Sequence, residues 1–175
     1  MRIFLFCSLF IISCHSTQTV NKVPDKPRGI VLKGYVPAVK IDVKNADPDE
    51  VVALAESFQG IPYLYGGSEP TQGFDCSGFV NYVFSRFGVK VPRISRDFTN
   101  AGREVRQKDA KRGDIILFTG TDINSGEVGH LGLVTSNKNG ELLFVHAASG
   151  SGRRVMVSGM NSWFTPRFVK IIRVF

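Results

Sequence analysis

Two stretches in the first half of the chain carry apolar residues at intervals of three and four, which predicts two amphipathic helices. The first begins after Asp47, a favourable N-cap, with Pro48 at the first helical position, and we expect it to end at Gly60. The second begins after Asp75 and ends at Gly88. Its apolar face consists of Phe79, Val80, Val83, Phe84 and Phe87.

The second half of the chain changes to the short, largely apolar runs that are typical of strands. A short helix capped by Ser95 and ending at Gly102 is expected before them. Strands are predicted at 114–119, 129–136, 141–146, 153–158 and 166–174. Helices followed by strands indicate an α+β fold, in which N-terminal helices pack on an antiparallel sheet of about five to six strands.

The first fourteen residues differ from the rest of the chain. A short basic start is followed at 3–12 by an uncharged apolar run that is too short to span a bilayer, which indicates a secretory signal. Residues 11–14 also resemble a bacterial lipobox, which implies cleavage before Cys14 and attachment of lipid to its sulfur. A plain secretion signal cut nearby is the alternative. His15, in place of an acidic residue, favours the outer membrane of a Gram-negative bacterium.

The signal is followed by a polar stretch and then by a single domain. Residues 15–46 contain Thr, Asn, Lys and Pro with little periodicity, which predicts a tether with one extended piece at 29–36. The domain then covers 47–175, long enough for a sizeable core. The net charge of +7 modestly favours anionic surroundings such as cell-wall polymer, although solubility explains it as well. Without a dense basic run, a nucleic-acid role is not expected.

Cysteine usage singles out one thiol. Cys7 leaves with the signal and Cys14 would carry the lipid, so Cys76 is the one cysteine left in the folded part and no disulfide can form within the chain. Cys76 lies in the first turn of the second helix, where the positive end of the helix dipole favours a thiolate. The alternative is a small, inert core residue.

Two histidines lie at the same end of a predicted hairpin. His130 begins one strand and His146 ends the next. A two-residue loop at Asn139 and Gly140 would place them on opposite faces. A three-residue loop at 138–140 would place them on one face as diagonal neighbours, about 7 Å apart at Cβ. We predict the three-residue loop, because Gly140 suits its left-handed position.

This set of residues suits nucleophilic catalysis. A cysteine nucleophile needs a base, and the base needs a third group to fix its tautomer, so His130 would be the base and His146 the orienting group. Two unrelated surface histidines are one alternative. A zinc site formed with Cys76 is another, but the usual zinc-ligand spacings and nearby carboxylates are missing, so no metal or other cofactor is expected.

Six segments in a fixed order resemble the NlpC/P60 family of cell-wall cysteine peptidases over about residues 47–175. They are 62–67 (PYLYGG), 74–79 (FDCSGF), 92–95 (PRIS), 112–118 (RGDIILF), 129–132 (GHLG) and 145–147 (VHA). The resemblance implies a compact papain-like fold. It also implies that Cys76 attacks an amide of a peptidoglycan stem peptide and forms an acyl-enzyme, with His130 acting as base and then as acid. The bond implied lies between γ-D-glutamate and the diamino acid.

The resemblance also implies roles for five neighbouring residues. Tyr63 matches a tyrosine associated with the oxyanion site, although core packing explains it equally well. Substrate-binding roles are implied for Asp75, Ser77, Arg93 and Ser95. Asp75 and Ser95 match positions that in some members hold the free amino end of an L-Ala-γ-D-Glu stem, and Arg93 would meet a substrate carboxylate or only solvent.

The sequence therefore predicts an exported, lipid-anchored, monomeric peptidoglycan hydrolase whose partners are peptidoglycan or muropeptides and the membrane. An amidase or acyltransferase acting on another amide or ester would use the same residues and is the main alternative. A non-catalytic wall-binding lipoprotein is disfavoured because Cys76, His130 and His146 are all present.

Overall fold

The computed structural model describes residues 40–150 and 152–175. The predictions for the signal, for lipidation at Cys14 and for the extended piece at 29–36 lie outside the described residues. The α-helices are α1 (Pro48–Ser57) and α2 (Cys76–Ser85), and short 3₁₀ helices occupy Ser95–Asn100, Gln107–Asp109 and Thr165–Arg167. The strands are β1 (Ser68–Glu69), β2 (Gly73–Phe74), β3 (Arg103–Val105), β4 (Ile115–Thr119), β5 (Val128–Lys138), β6 (Glu141–Ala147), β7 (Val155–Gly159) and β8 (Phe168–Arg173).

Both α-helices begin where the sequence predicts. The carboxylate of Asp47 accepts hydrogen bonds from two backbone N–H groups of the first turn of α1, and that of Asp75 accepts one from Gly78. The helices end slightly earlier than expected, α1 at Ser57 and α2 at Ser85. The predicted cap at Ser95 is wrong, since its hydroxyl makes no capping hydrogen bond.

The main sheet has six antiparallel strands in the order β3-β8-β4-β5-β6-β7, which confirms the predicted α+β architecture. The sequence missed β3, a short and mostly exposed strand whose position is fixed by pairing with β8. It also missed the two-residue pair β1–β2, which precedes α2. Neither has an apolar run of its own from which a strand could be inferred.

The sheet separates two apolar cores. The first lies between the helices and one sheet face, and its members include Val51, Ala55, Phe79, Val83, Leu131, Leu133, Val145 and Ile172. The second covers the opposite face and includes Ile116, Phe118, Val134, Phe144, Phe164 and Ile171. Alternation along β5 and β6 therefore puts Leu131 and Val145 under the helices and directs His130 and His146 to the second face.

The β5–β6 hairpin corrects the predicted loop. Lys138 pairs with Glu141, so the loop has two residues, and Asn139 and Gly140 both have positive φ, as a type I′ turn requires. The register then shifts by one residue at a β-bulge around Thr135, beyond which Val134 pairs with Phe144. The histidines share a face because this bulge cancels the effect of the shorter loop.

The folded part begins before residue 47. Ile41, assigned to the tether by the sequence, is buried in the first core, and Lys44 donates from Nζ to the Gly88 carbonyl over 2.9 Å. The apolar residues at 41 and 43 are too few to show periodicity, which is why the pattern did not reveal them. Within 40–150 and 152–175, none of the helices has the length and apolar character needed to cross a bilayer.

Candidate active site

Cys76 lies at the tip of α2, pressed against β5. Only 7% of its surface is exposed. Its Sγ lies 3.4 Å from Ser95 Oγ and 3.9 Å from the carbonyl oxygen of Gly129, the residue before His130. The first turn of α2 packs closely against the backbone of Gly67 because Gly78 has no side chain: a Cβ there would clash with the Gly67 carbonyl oxygen.

The resting thiol is neutral. Burial raises the pKa of Cys76 above its ordinary value, and the carboxylate of Asp75 raises it further. The hydrogen bond with Ser95 and the backbone N–H groups of Leu131 and Ser77 act in the opposite direction but do not outweigh burial. This corrects the expectation that the helix start alone would favour the thiolate, and it means that attack requires a base.

His130 and His146 form a hydrogen-bonded pair on the second sheet face. His130 Nε2 and His146 Nδ1 are 2.8 Å apart, and their rings meet edge to face. On the far side, His146 Nε2 lies 2.9 Å from Ser158 Oγ on β7. The structure thus brings together the two histidines that the sequence singled out.

Both histidines are neutral at physiological pH. Burial lowers the pKa of the half-buried His130 to about 4. Burial also lowers the pKa of His146 well below its ordinary value, and the neighbouring His130 lowers it further. A neutral imidazole keeps a lone pair, so each ring can accept a proton.

Aromatic side chains fix the two rings. Phe164 stacks on His130 at a centroid distance of 6.3 Å and meets His146 edge-on at 5.3 Å. Phe118 and Phe144 complete the cluster around them. The sequence analysis did not identify Phe164, because it lies outside both predicted strands of the histidine hairpin.

Cys76 Sγ contacts the backbone of β5 at Gly129, the residue next to His130. Cys76 belongs to the first core, whereas the His130 ring packs in the second, and Sγ reaches the strand at 129–131. In this state Sγ is hydrogen-bonded to Ser95 and not to a ring nitrogen of His130. Since Nε2 of His130 is engaged by His146, Nδ1 is the ring nitrogen of His130 that has no histidine partner.

Tyr63 lies near the thiol. It is half-buried, packs against the first core, and its backbone N–H donates to the Arg153 carbonyl over 2.8 Å. Burial raises the pKa of Tyr63, and the nearby Cys76 and Asp75 raise it further. The phenol therefore remains a hydrogen-bond donor at physiological pH, which suits an oxyanion-binding group.

The four predicted substrate-binding residues divide into two sets. Arg93 donates from Nη1 and Nη2 to both carboxylate oxygens of Asp75, at 3.0 and 2.9 Å, and from Nη1 to Ser77 Oγ at 3.1 Å. Arg93 therefore pairs with Asp75 while its side chain stays 42% exposed to solvent, and a contact with a substrate carboxylate stays a prediction. Ser95 instead faces Cys76.

Ser158 is a site residue that the sequence analysis missed. It lies within a predicted strand, but the pairing of β7 with β6 was not predicted, so its closeness to His146 could not be inferred. Among the residues that the structure describes, no three His, Cys, Asp or Glu side chains form a group that could hold a metal ion.

Comparison with known proteins places this site in a family. The family model described as NlpC/P60 matches residues 60–173. Peptidoglycan endopeptidase RipB of Mycobacterium tuberculosis is 38% identical over 135 residues, covering 70% of this chain and 52% of RipB. Gamma-DL-glutamyl hydrolase of Bacillus subtilis is 40% identical over 89 residues, covering 50% of this chain and 22% of that protein. The chain thus spans about half or less of these relatives.

A solved structure shows the same fold. An NlpC/P60 family protein from Bacillus cereus superimposes with a TM-score of 0.66 at 25% identity, covering 76% of this chain and 42% of that one.

Proposed function

The chain belongs to the NlpC/P60 family, and from this membership and the arrangement of Cys76, His130 and His146 we propose that it is a cysteine peptidase that hydrolyses peptidoglycan stem peptides. The observation that carries the proposal is the 2.8 Å hydrogen bond between the two histidines, together with a thiol at the start of a helix that lies 3.9 Å from the carbonyl oxygen of the residue before His130. A nucleophile, a base and an orienting group are the minimum set for acyl transfer through a thiol.

The proposed reaction starts from neutral groups. As substrate enters, His130 Nδ1 takes the proton from Cys76, and the sulfur electron pair attacks the amide carbonyl carbon. Catalytic hydrogen bonds often tighten only when substrate binds, which is consistent with the Ser95 partner of Sγ in this state. The protonated His130 then gives its proton to the leaving amine, and water hydrolyses the acyl-enzyme.

The negative charge that develops on the carbonyl oxygen of the substrate needs hydrogen-bond donors to stabilise it. The Tyr63 hydroxyl and backbone N–H groups at the start of α2 are the proposed oxyanion-binding groups. Asp75, Ser77 and Ser95 line the same end of the helix and are the proposed contacts to the substrate. Arg93 is proposed to act indirectly, by holding Asp75 and Ser77 in place.

We propose that the bond cleaved joins γ-D-glutamate to the diamino acid. The named activity of the Bacillus subtilis relative, a gamma-DL-glutamyl hydrolase, supports a γ-glutamyl bond. The sequence of residues 1–14 supports export and lipid attachment at Cys14, in the outer membrane or periplasm of a Gram-negative bacterium. We also propose that the protein is a monomer and that 15–39 is a tether.

Digestion of muropeptides tests the activity. The purified protein is incubated with intact sacculi and with free tripeptide and tetrapeptide stems, and the products are identified by mass spectrometry. Fragments ending in γ-D-glutamate are expected, and Cys76→Ala should abolish them. Unchanged stems with the wild-type protein, or full activity of Cys76→Ala, would show that the proposal is wrong.

Lipid attachment is tested separately. Cys14→Ala should release the protein from the membrane fraction and leave its activity on soluble stems unchanged. Continued membrane association of this variant would contradict an anchor at Cys14.

A further inference from the structure

We propose that Ser158 is a positioning residue that accepts a hydrogen bond from His146 and thereby keeps His130 in the tautomer that can take the thiol proton. This inference rests on the proposed function, since it assigns Ser158 a part in the same reaction. The contact between His146 and Ser158 lies on the second sheet face. Ser158 belongs neither to the six sequence motifs nor to the start of α2.

The sheet brings the three side chains into one row. Ser158 pairs with Phe144 on β6, so it is a diagonal neighbour of His146, two residues along. His130 stands in the corresponding diagonal position on β5, because Leu133 pairs with Val145. His146, on the strand between them, therefore contacts one partner on each side, at 2.8 and 2.9 Å.

Only two proton arrangements of neutral rings satisfy the hydrogen bond between the histidines. In the first, both rings carry hydrogen on Nε2: His130 donates to His146 Nδ1, and His146 donates to Ser158 Oγ. In the second, both rings carry hydrogen on Nδ1: His146 donates to His130, and Ser158 donates to His146. Each nitrogen is either a donor or an acceptor, so the tautomers of the two rings are coupled.

Only the first arrangement permits catalysis. It leaves a lone pair on His130 Nδ1, the nitrogen that faces no histidine, whereas the second places a hydrogen there. The first arrangement needs an acceptor for the N–H of His146, a residue that is only 2% exposed. Ser158 Oγ is that acceptor, and because Ser158 is half-buried its own hydroxyl hydrogen can be given to water.

Removing the hydroxyl should therefore disturb the reaction and not only the fold. In Ser158→Ala, the buried N–H of His146 loses its acceptor, so the arrangement that catalysis needs becomes less favourable. We expect kcat on a stem peptide to fall about 10- to 100-fold with KM nearly unchanged, which is the order of effect expected when a buried N–H loses its acceptor. Ser158→Thr keeps a hydroxyl and a side chain suited to a strand, so it should restore most of the activity.

The tautomers can be observed without substrate. Long-range ¹H–¹⁵N correlation spectra of the imidazole rings at pH 7 distinguish Nε2–H from Nδ1–H, and His→Gln variants assign the signals. We expect both rings of the wild-type protein in the Nε2–H form and a mixture of forms in Ser158→Ala. The matched control is Ser136→Ala, which removes a serine hydroxyl from β5 of the same sheet. It should change neither the spectrum nor kcat.

The outcomes separate the two proposals. Nδ1–H rings in the wild-type protein would overturn the inference, and so would a Ser158→Ala protein with unchanged tautomers and unchanged kcat, even if its melting temperature fell. If Ser158→Ala does not fold, the wild-type spectrum and Ser158→Thr still decide the matter. A wild-type protein with both rings in the Nε2–H form but no activity on stem peptides would instead overturn the proposed function.

Discussion

Acidification should destabilise this protein at a pH where most proteins are still stable, because its histidine pair is neutral when folded. The pKa of His130 is about 4 in the folded protein and 6.5 when unperturbed. Below pH 6.5 the unfolded chain therefore binds a proton that the folded protein does not, so stability falls as the pH decreases and levels off below about 4. At about 1.36 kcal/mol per pH unit, His130 accounts for about 3 kcal/mol over the whole window and about 2 kcal/mol between pH 6.5 and 5.

Urea unfolding at pH 7 and pH 5 measures this loss, with His130→Gln as the comparison. The upper part of the window is used because carboxylates in general begin to titrate below it. The wild-type free energy of unfolding should fall by about 2 kcal/mol more than that of the variant between the two pH values. An identical pH dependence in both proteins would refute the argument that folding holds His130 in the neutral form.

Three further results are expected. The acid limb of kcat/KM should lie near the His130 pKa of about 4 and not near 6.5, and a limb near 6.5 would mean that the ring is solvated in the free enzyme. Ser95→Ala should slow alkylation of Cys76 by iodoacetamide at pH 8, because the hydrogen bond from Ser95 lowers the pKa of the thiol and the variant lacks it. Faster alkylation of the variant would contradict this. Arg93→Ala should lower the free energy of unfolding, measured in urea, by about 1 kcal/mol, because Asp75 loses a partly exposed ion-pair partner. Arg93→Lys should restore part of this stability. An unchanged free energy of unfolding in Arg93→Ala would show that the ion pair contributes nothing.

Local signals in the sequence were sufficient for the helices. The caps at Asp47 and Asp75 involve backbone groups two or three residues away, so the identity of a few adjacent residues decides them. Ser95 shows where this reasoning fails. Serine is a residue type that favours helix caps, yet the hydroxyl of Ser95 contacts Cys76, nineteen positions earlier in the chain. Only the packing of α2 creates this contact.

Long-range contacts explain what else the sequence could not predict. Arg93 could have faced solvent, substrate or any carboxylate, and only the fold brings Asp75 to both of its terminal nitrogens. The same holds for Ser158, because its contact with His146 depends on the register of β7 against β6. Side-chain types and spacing indicated candidate residues for the site, but the partner of each is set by tertiary structure.

The shared face of the two histidines depends on a feature that the hairpin sequence does not reveal. A two-residue loop alone would have put His130 and His146 on opposite faces. The bulge at Thr135 shifts the register of the two strands by one residue, which returns both histidines to the same face. The bulge has its own anchor, because the Thr135 carbonyl accepts a hydrogen bond from Arg112, whose guanidinium is also held by Glu56 of α1. Arg112, in the segment at 112–118, thus links α1 to the strand residue at which the register of the histidine hairpin shifts.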